Sequence, residues 1–278
     1  MKSKKKIEVF PIVNGLIFII LSLLIIIPMW KVLVDSFDLK TAYGMKLWPE
    51  EFAGYISVFK NPTLSHPLMI SVITTIAGTI IALILSTFGA YVLIQWDMPG
   101  RNLFANLLLF TMIFQGGMIP TYLVLKSLHL TNTIWVVILF PALNVYNLVL
   151  MRNFFEGIPA SLFESATLDG CTPMQTFIRI VLPMSKAALA SIGLMFAVTY
   201  WNDYTHYKLY ITDSNLYNFQ MKLRSIIMGS DLPQANGGAT ENTVKSAAII
   251  IAILPFMILY PFLQKYFVKG VNVGAVKG

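Results

Sequence analysis

Apolar residues gather in six long runs, and polar residues collect between them. The runs are roughly Ile12–Leu33, Pro67–Ile94, Leu103–Leu125, Thr133–Met151, Ile180–Trp201 and Ala247–Phe267. A helix needs about 20 apolar residues to cross a bilayer, and each run approaches or exceeds that. Barrel strands would instead alternate apolar and polar in segments of about ten residues. Inside lipid, backbone polar groups must pair internally, so continuous runs of this length read as helices. The pattern predicts an all-α polytopic membrane protein with six transmembrane helices. The first run follows a lysine-rich start but is longer than the apolar core of a signal peptide, and no A-x-A site follows it. It reads as an uncleaved anchor.

Composition agrees with that class. Of 278 residues, 56% are hydrophobic and 12% charged, where a soluble domain carries about 25% charged residues. The net charge of +7 is unevenly spread. With the N-terminus in the cytoplasm, Lys2, Lys4, Lys5, Lys6, Arg101, Arg152, Arg179, Lys186, Lys265, Lys269 and Lys277 fall inside. Only Glu8, Asp97, Glu156, Glu164 and Asp169 oppose them there. The outer segments are nearly neutral although they are longer. This is the positive-inside pattern, and it predicts a multi-pass membrane protein with both termini cytoplasmic. The basic residues are topogenic, so no nucleic-acid partner is implied. Trp30, Trp48, Trp96 and Trp201 fall near the proposed interfaces, where an amphipathic ring is favoured. The single Cys171 cannot form an internal disulfide.

One inner segment, Arg152–Arg179, is polar and punctuated. Pro159 suits a helix start, and Ser161 is a possible cap. Glu164 would then lie in or near the first turn, where a carboxylate is favoured. Gly170 would end the helix in a left-handed conformation. Thr172-Pro173 restart a second helix that runs into the fifth span. Leu162, Phe163 and Ala166 give the short helix an apolar face that needs a partner. From pattern alone, that partner is the bilayer, this chain or another protein.

The spacing Glu164-Ser165-Ala166, then Gly170, then Ile180-x-Leu182-Pro183 resembles the Glu-Ala-Ala loop of ABC importer permeases. Ser165 replaces the first Ala of that pattern. The C-terminal "KGVNVGAVKG", from Lys269 to Gly278, is similar to the tail of the second permease subunit of maltose-type carbohydrate importers. "FQGGMIPTYLVLKSLHLTNTIW" and "LMRNFFEGIP" resemble the complex-oligosaccharide branch of that family. The resemblance implies the type I importer permease fold. Residues 1–66 would form an anchor helix and first outer loop, and 67–268 a transmembrane domain with a coupling helix near 159–170. Residues 269–278 would form a tail reaching the ATPases. It also implies that Glu164, Ser165, Ala166 and Gly170 dock on an ATPase, and that Gly270, Gly274, Val276, Lys277 and Gly278 contact the ATPases. The implied partners are a second permease subunit, two ABC ATPases, an extracytoplasmic solute-binding protein, a carbohydrate and the lipid bilayer. No cofactor belongs to this chain; ATP and Mg would be held by the ATPases.

The rest of the sequence is compatible with a transport subunit that lacks its own ATPase. No phosphate-loop motif occurs. A stand-alone secondary transporter should show internal repeats and a charged coupling site in the spans, and an intramembrane enzyme a catalytic pair at matched depth. None is evident, and His66, His129 and His206 lack metal-ligand spacing. An importer for a different solute remains the alternative. Asn144 and Asn147 share a face of the fourth span, for solute or for interhelical bonding. Tyr200, Trp201, Asn202, Asp203 and Tyr204 would suit a sugar or an interfacial belt. Gln115-Gly116-Gly117 with Pro120 could break or kink the third span. The outer loop Tyr204–Ser246, with apolar positions around Lys222–Met228, is expected to contact the solute-binding protein, with "ANGGAT" as a flexible bend.

Overall fold

A computed structural model describes residues 9–38, 40–41, 44–45, 52–95, 98–114, 116–229 and 240–275. Trp48, Trp96, Gln115, most of "ANGGAT", Val276, Lys277 and Gly278 lie outside the described residues. Among the described residues the chain is helical, apart from a two-residue antiparallel ladder of β1 (Lys40–Thr41) with β2 (Gly44–Met45). The first helices are α1 (Val9–Ser36), α2 (Ala53–Lys60), α3 (Pro62–Ile94), α4 (Arg101–Ile113) and α5 (Met118–Ser127). Then come α6 (Ile134–Leu139) with a 3-10 turn (Phe140–Ala142), α7 (Val145–Glu156), α8 (Ala160–Leu168) and α9 (Pro173–Thr176). A π-helical turn (Phe177–Val181) leads to α10 (Leu182–Met184) and α11 (Lys186–Trp201). The chain continues through α12 (Thr205–Tyr210), α13 (Phe219–Ile227) and α14 (Glu241–Ala275).

Among the described residues, three helical stretches are long and apolar enough to cross a membrane: Val13–Ser36, Pro62–Ile94 and Glu241–Pro261. Two bent pairs raise the count to five at most. They are α6 and its 3-10 turn with α7, bent by 44°, and α9–α10 with α11, bent by 80°. The expected six spans are therefore not confirmed by length and composition. The shortfall lies in Leu103–Leu125, which is continuous in hydropathy but divided between α4 and α5. Phe114 is extended there, and Gly117 has φ +89, a conformation glycine adopts without a Cβ clash.

The chain divides into two compact units. One comprises residues 1–65 and 225–253. Val34, Val58, Val244, Ala247 and Ala248 are among its buried residues. Here the Tyr55 hydroxyl lies 2.8 Å from Ser36 Oγ. A Cβ on Gly54 would lie 2.9 Å from Thr243 Cγ2 and 3.0 Å from the Thr243 carbonyl, so glycine permits the close approach of α2 and α14. The other unit comprises residues 66–224 and 254–278. Its main core joins α3, α7, the π-helical turn and α11 through Ala82, Tyr91, Met151, Phe155, Phe177 and Phe196. A second cluster gathers Ile70, Val136, Val137, Tyr207, Tyr210 and Met221. Tyr207 donates to Thr74 Oγ1 at 3.1 Å, and burial pushes its phenol above the ordinary tyrosine range.

Candidate functional site

The polar segment folds as α8, a glycine turn and α9, all within the second unit. Pro159 occupies the N-cap, with no side-chain capping bond. Ser161 is therefore not the cap. It is the second residue of α8, and its carbonyl accepts the Ser165 hydroxyl at 2.8 Å. Glu164 is the fifth residue, in the second turn, and no acidic residue lies in the first turn. The helix-dipole argument for Glu164 consequently falls away, because that effect fades within one turn.

The C-terminus of α8 follows the expected local logic. Asp169 is the C-cap, and Gly170 is left-handed at φ +74. The Gly170 N–H donates to the Thr167 carbonyl at 3.0 Å, and the Cys171 N–H to the Ala166 carbonyl at 2.9 Å. That pair of bonds is a Schellman motif, which satisfies carbonyls the helix end leaves open. Thr172 then starts α9 with a reciprocal capping box: its hydroxyl accepts from the Gln175 N–H, and Gln175 Oε1 accepts from the Thr172 N–H.

Tertiary packing decides which face of α8 is free. Leu162 and Phe163 pack against the main core, and Ala166 is buried at 3% exposure. The apolar face thus finds its partner in its own chain. Ala166 anchors the helix and presents almost no surface. Glu164, Ser165 and Gly170 are exposed. Ser161, Glu164, Ser165 and Leu168 follow i, i+3, i+4, i+7 spacing and form one outward stripe. Leu168 is 88% exposed. Sequence reasoning missed it, although its signal was present: an apolar residue opposite the Leu162–Phe163–Ala166 face. A large apolar side chain that exposed, beside a carboxylate on a rigidly held helix, is suited to seating on another protein.

The helix is tied back to the spans through α9. The Tyr91 hydroxyl of α3 donates to the Pro173 carbonyl at 2.7 Å. The Phe177 ring lies 4.7 Å from Tyr91 and 5.0 Å from Phe88. Displacement of α8 would therefore bear on α3 through a hydrogen bond and two ring contacts. Beyond Phe177 the path bends at Ser185, whose N–H donates to both the Val181 and Leu182 carbonyls.

The remaining polar candidates have structural roles in this chain. Asn144 is not on a continuous helix face. It caps α7, where its side chain accepts the Asn147 N–H at 3.1 Å, and Asn147 is buried. Tyr200 is 2% exposed and donates to the Ile138 carbonyl at 2.7 Å. Trp201 is also buried, edge-on to Phe256. Asn202 caps α11 by donating to the Val198 carbonyl at 3.0 Å. Asp203 holds His206 Nδ1 at 3.0 Å, and Tyr204 lies beneath the Arg224 guanidinium. Gly116 and Gly117 mark the break between α4 and α5, and Pro120 lies in the first turn of α5. Gly270 and Gly274 belong to the final turns of α14. Among the described residues, no group of three His, Cys, Asp or Glu side chains could hold a metal.

Comparison with known proteins adds family to this geometry. The chain is 40% identical to the protein LplC of Bacillus subtilis over all of its length and 98% of that protein's. It is also 40% identical to the polygalacturonan/rhamnogalacturonan transport system permease protein YtcP of Bacillus subtilis, covering 92% of this chain and 94% of that one. A solved bacterial ABC transporter involved in import of the acidic polysaccharide alginate contains a chain with TM-score 0.86 and 28% identity. The likeness covers 96% of this chain and 99% of that one. Residues 9–273 match a family whose description reads "Binding-protein-dependent transport system inner membrane component". The all-helical fold, the short helix held out from the spans and these likenesses together place the chain in that family, the membrane components of binding-protein-dependent transport systems.

Proposed function

We propose that the chain is one of two permease subunits of an ATP-driven carbohydrate importer, with α8 as the element that docks on an ATPase. The observation that carries this reading is the outward stripe of Glu164, Ser165 and Leu168 on a helix whose opposite face is buried in the core. Leu168 would fill an apolar recess on the ATPase, while Glu164 faces a basic or hydrogen-bonding rim. The exposed Gly170 lets the chain turn back at once, so α8 protrudes without a trailing loop. The carbohydrate, an oligosaccharide in our reading, is supported by the polygalacturonan/rhamnogalacturonan and alginate systems named among the similar proteins.

In this reading α4 and α5 together make the sixth span, broken at Gly116–Gly117, and both termini are cytoplasmic. A solute-binding protein delivers sugar to the outer segments, including the stretch Tyr204–Ser246 that holds α12 and α13. Two ATPase subunits bind ATP and Mg, and their closure moves α8 of this chain and its counterpart on the second permease. The C-terminal residues Gly270, Gly274, Val276, Lys277 and Gly278 contact the ATPases in this reading. Leu168→Asp tests the docking role. A site this exposed contributes little to the fold, so insertion and thermal stability should stay within about 0.5 kcal/mol of wild type. ATPase chains retained per permease after detergent extraction, and oligosaccharide uptake, should both fall severalfold. Full ATPase retention with normal uptake would remove Leu168 from the interface.

A further inference from the structure

Helices α3 and α11 of the second unit share a seam that is unevenly packed. Gly78 receives the Tyr200 ring, and Gly193 receives Leu83, whose Cδ1 would stand 3.1 Å from an added Cβ. Thr87 and Leu189 line one cavity. Rising numbers on α3 thus meet falling numbers on α11, so the two helices are antiparallel. The seam is tight at Gly78 and Gly193 and opens toward α9, into a cavity of about 270 Å³. Ile84, Thr87 and Phe88 of α3 form one wall, and Ile178, Leu182 and Leu189 form the other. Thr87 donates its hydroxyl to the Leu83 carbonyl within α3, and the other five side chains are apolar. Ile84, Phe88 and Ile178 are exposed, so a lipid chain can leave the cavity as it closes.

The backbone beside this cavity is the part of the segment best suited to bend. The Leu182 N–H reaches back five residues to the Phe177 carbonyl, the wide bond of a π-helical turn. Pro183 explains that widening: it has no N–H, and in a regular α-helix its ring would strike the Arg179 carbonyl. One turn later the Ser185 N–H is shared between the Val181 and Leu182 carbonyls. Proline and π-turns are where helices kink, and here the path bends by 80°. On the near side, α9 is fastened to α3. The Tyr91 hydroxyl donates to the Pro173 carbonyl, the Gln95 side chain also hydrogen-bonds that hydroxyl, and the Phe177 ring lies against Tyr91 and Phe88.

We propose that the π-helical turn is a hinge on which α10 and the start of α11 close against α3 and fill this cavity, with Tyr91 as the positioning residue that holds α9 to α3. The inference rests on the reading that α8 docks on an ATPase. The Gly170 turn joins α8 to α9, and α9 is fastened to α3, so a push on α8 is delivered to α3. The π-helical turn is where α11 yields to it. The far end of the seam stays in place, because Gly78 and Gly193 already hold it closed. The stroke is a helix shift of about 1–2 Å.

The tests use the assembled transport complex in lipid vesicles. Met174 and Lys186 are exposed on either side of the turn. Spin labels on Met174→Cys/Lys186→Cys, in a chain carrying Cys171→Ser, report the distance across it. That distance should shift by about 1–2 Å or more when a non-hydrolysable ATP analogue binds. An unchanged distance with ATPase chains in place would overturn the proposal. Leu189→Phe fills the cavity and Leu189→Ala enlarges it. Packing alone ranks Phe above Ala for both stability and uptake. The hinge inverts the second ranking: Phe should keep wild-type thermal stability yet lose uptake severalfold, and Ala should lose stability yet keep more of its uptake. Uptake that follows stability in both variants would also overturn the proposal. Tyr91→Phe removes the latch bond and keeps the ring. ATPase retention and ATP turnover should stay near wild type while sugar moved per ATP falls severalfold; an unchanged ratio would leave α9 without its latch and overturn the hinge. Failure of the docking reading is seen separately, in the ATPase chains retained by Leu168→Asp.

Discussion

Gly170 shows how much one residue can decide. Its φ of +74 closes α8, yet a Cβ built there would meet nothing within 4 Å. Any penalty of substitution therefore comes from the backbone alone, of order 1–2 kcal/mol for a residue forced left-handed. A β-branched side chain raises that penalty, whereas asparagine tolerates the region. Gly170→Val should loosen the two Schellman bonds and, in the proposed importer, turn the Leu168 stripe away from the ATPase. The variant should insert normally but retain fewer ATPase chains and take up less sugar, while Gly170→Asn stays close to wild type. If Val and Asn behaved alike, the left-handed turn would not be what positions α8.

Helix α3 is set by what it leaves out. A Cβ on Gly78 would lie 2.4 Å from Cε1 of Tyr200. That ring cannot step aside, because it is buried and its hydroxyl is fixed on the Ile138 carbonyl. Gly193 is the contrasting case: its added Cβ meets only Leu83 Cδ1, at 3.1 Å, the movable tip of a side chain. Overpacking a core costs about 1–3 kcal/mol, and the rigid neighbour should bring Gly78→Ala to the upper end. Thermal unfolding of the purified complex should show a clear loss for Gly78→Ala and a much smaller one for Gly193→Ala. Equal losses would mean that Tyr200 gives way and that its bond to Ile138 does not hold the broken α6–α7 segment.

For the whole molecule, the question is how surfaces left open by one chain are used in an assembly. The apolar run of α1 is almost entirely unburied, in contrast to those of α3 and α14. Among the three long apolar helices it leaves the most surface uncovered. At the opposite end of the chain, α14 runs on to Ala275, beyond its apolar stretch. Truncation after Lys269 removes no part of a span, so insertion should persist. In the proposed importer, ATP turnover and its stimulation by loaded binding protein should change, since coupling between the two faces is reciprocal. Wild-type turnover and stimulation would show that the last turns of α14 play no part in the motor.

The sequence alone determined the features set by neighbouring residues. Long apolar runs required helices, because lipid offers no partner for an open backbone. The glycine turn at Gly170 and the restart at Thr172-Pro173 were legible, since their hydrogen bonds close within six residues. Hydropathy could not reveal the breaks at Asn144 and Ser185, because it weighs side-chain carbon and is blind to where a backbone ladder stops; only Gly116–Gly117 with Pro120 gave a local signal, for the break in the third run. Periodicity did separate Ala166, on the Leu162–Phe163 face, from Leu168 on the opposite one, but it left open which face this chain itself would cover. In a membrane protein both the buried and the outward surfaces carry apolar residues, so amphipathicity no longer separates inside from outside. Only the tertiary packing of α3, α7 and the π-helical turn covered one side of α8 and left Leu168 exposed.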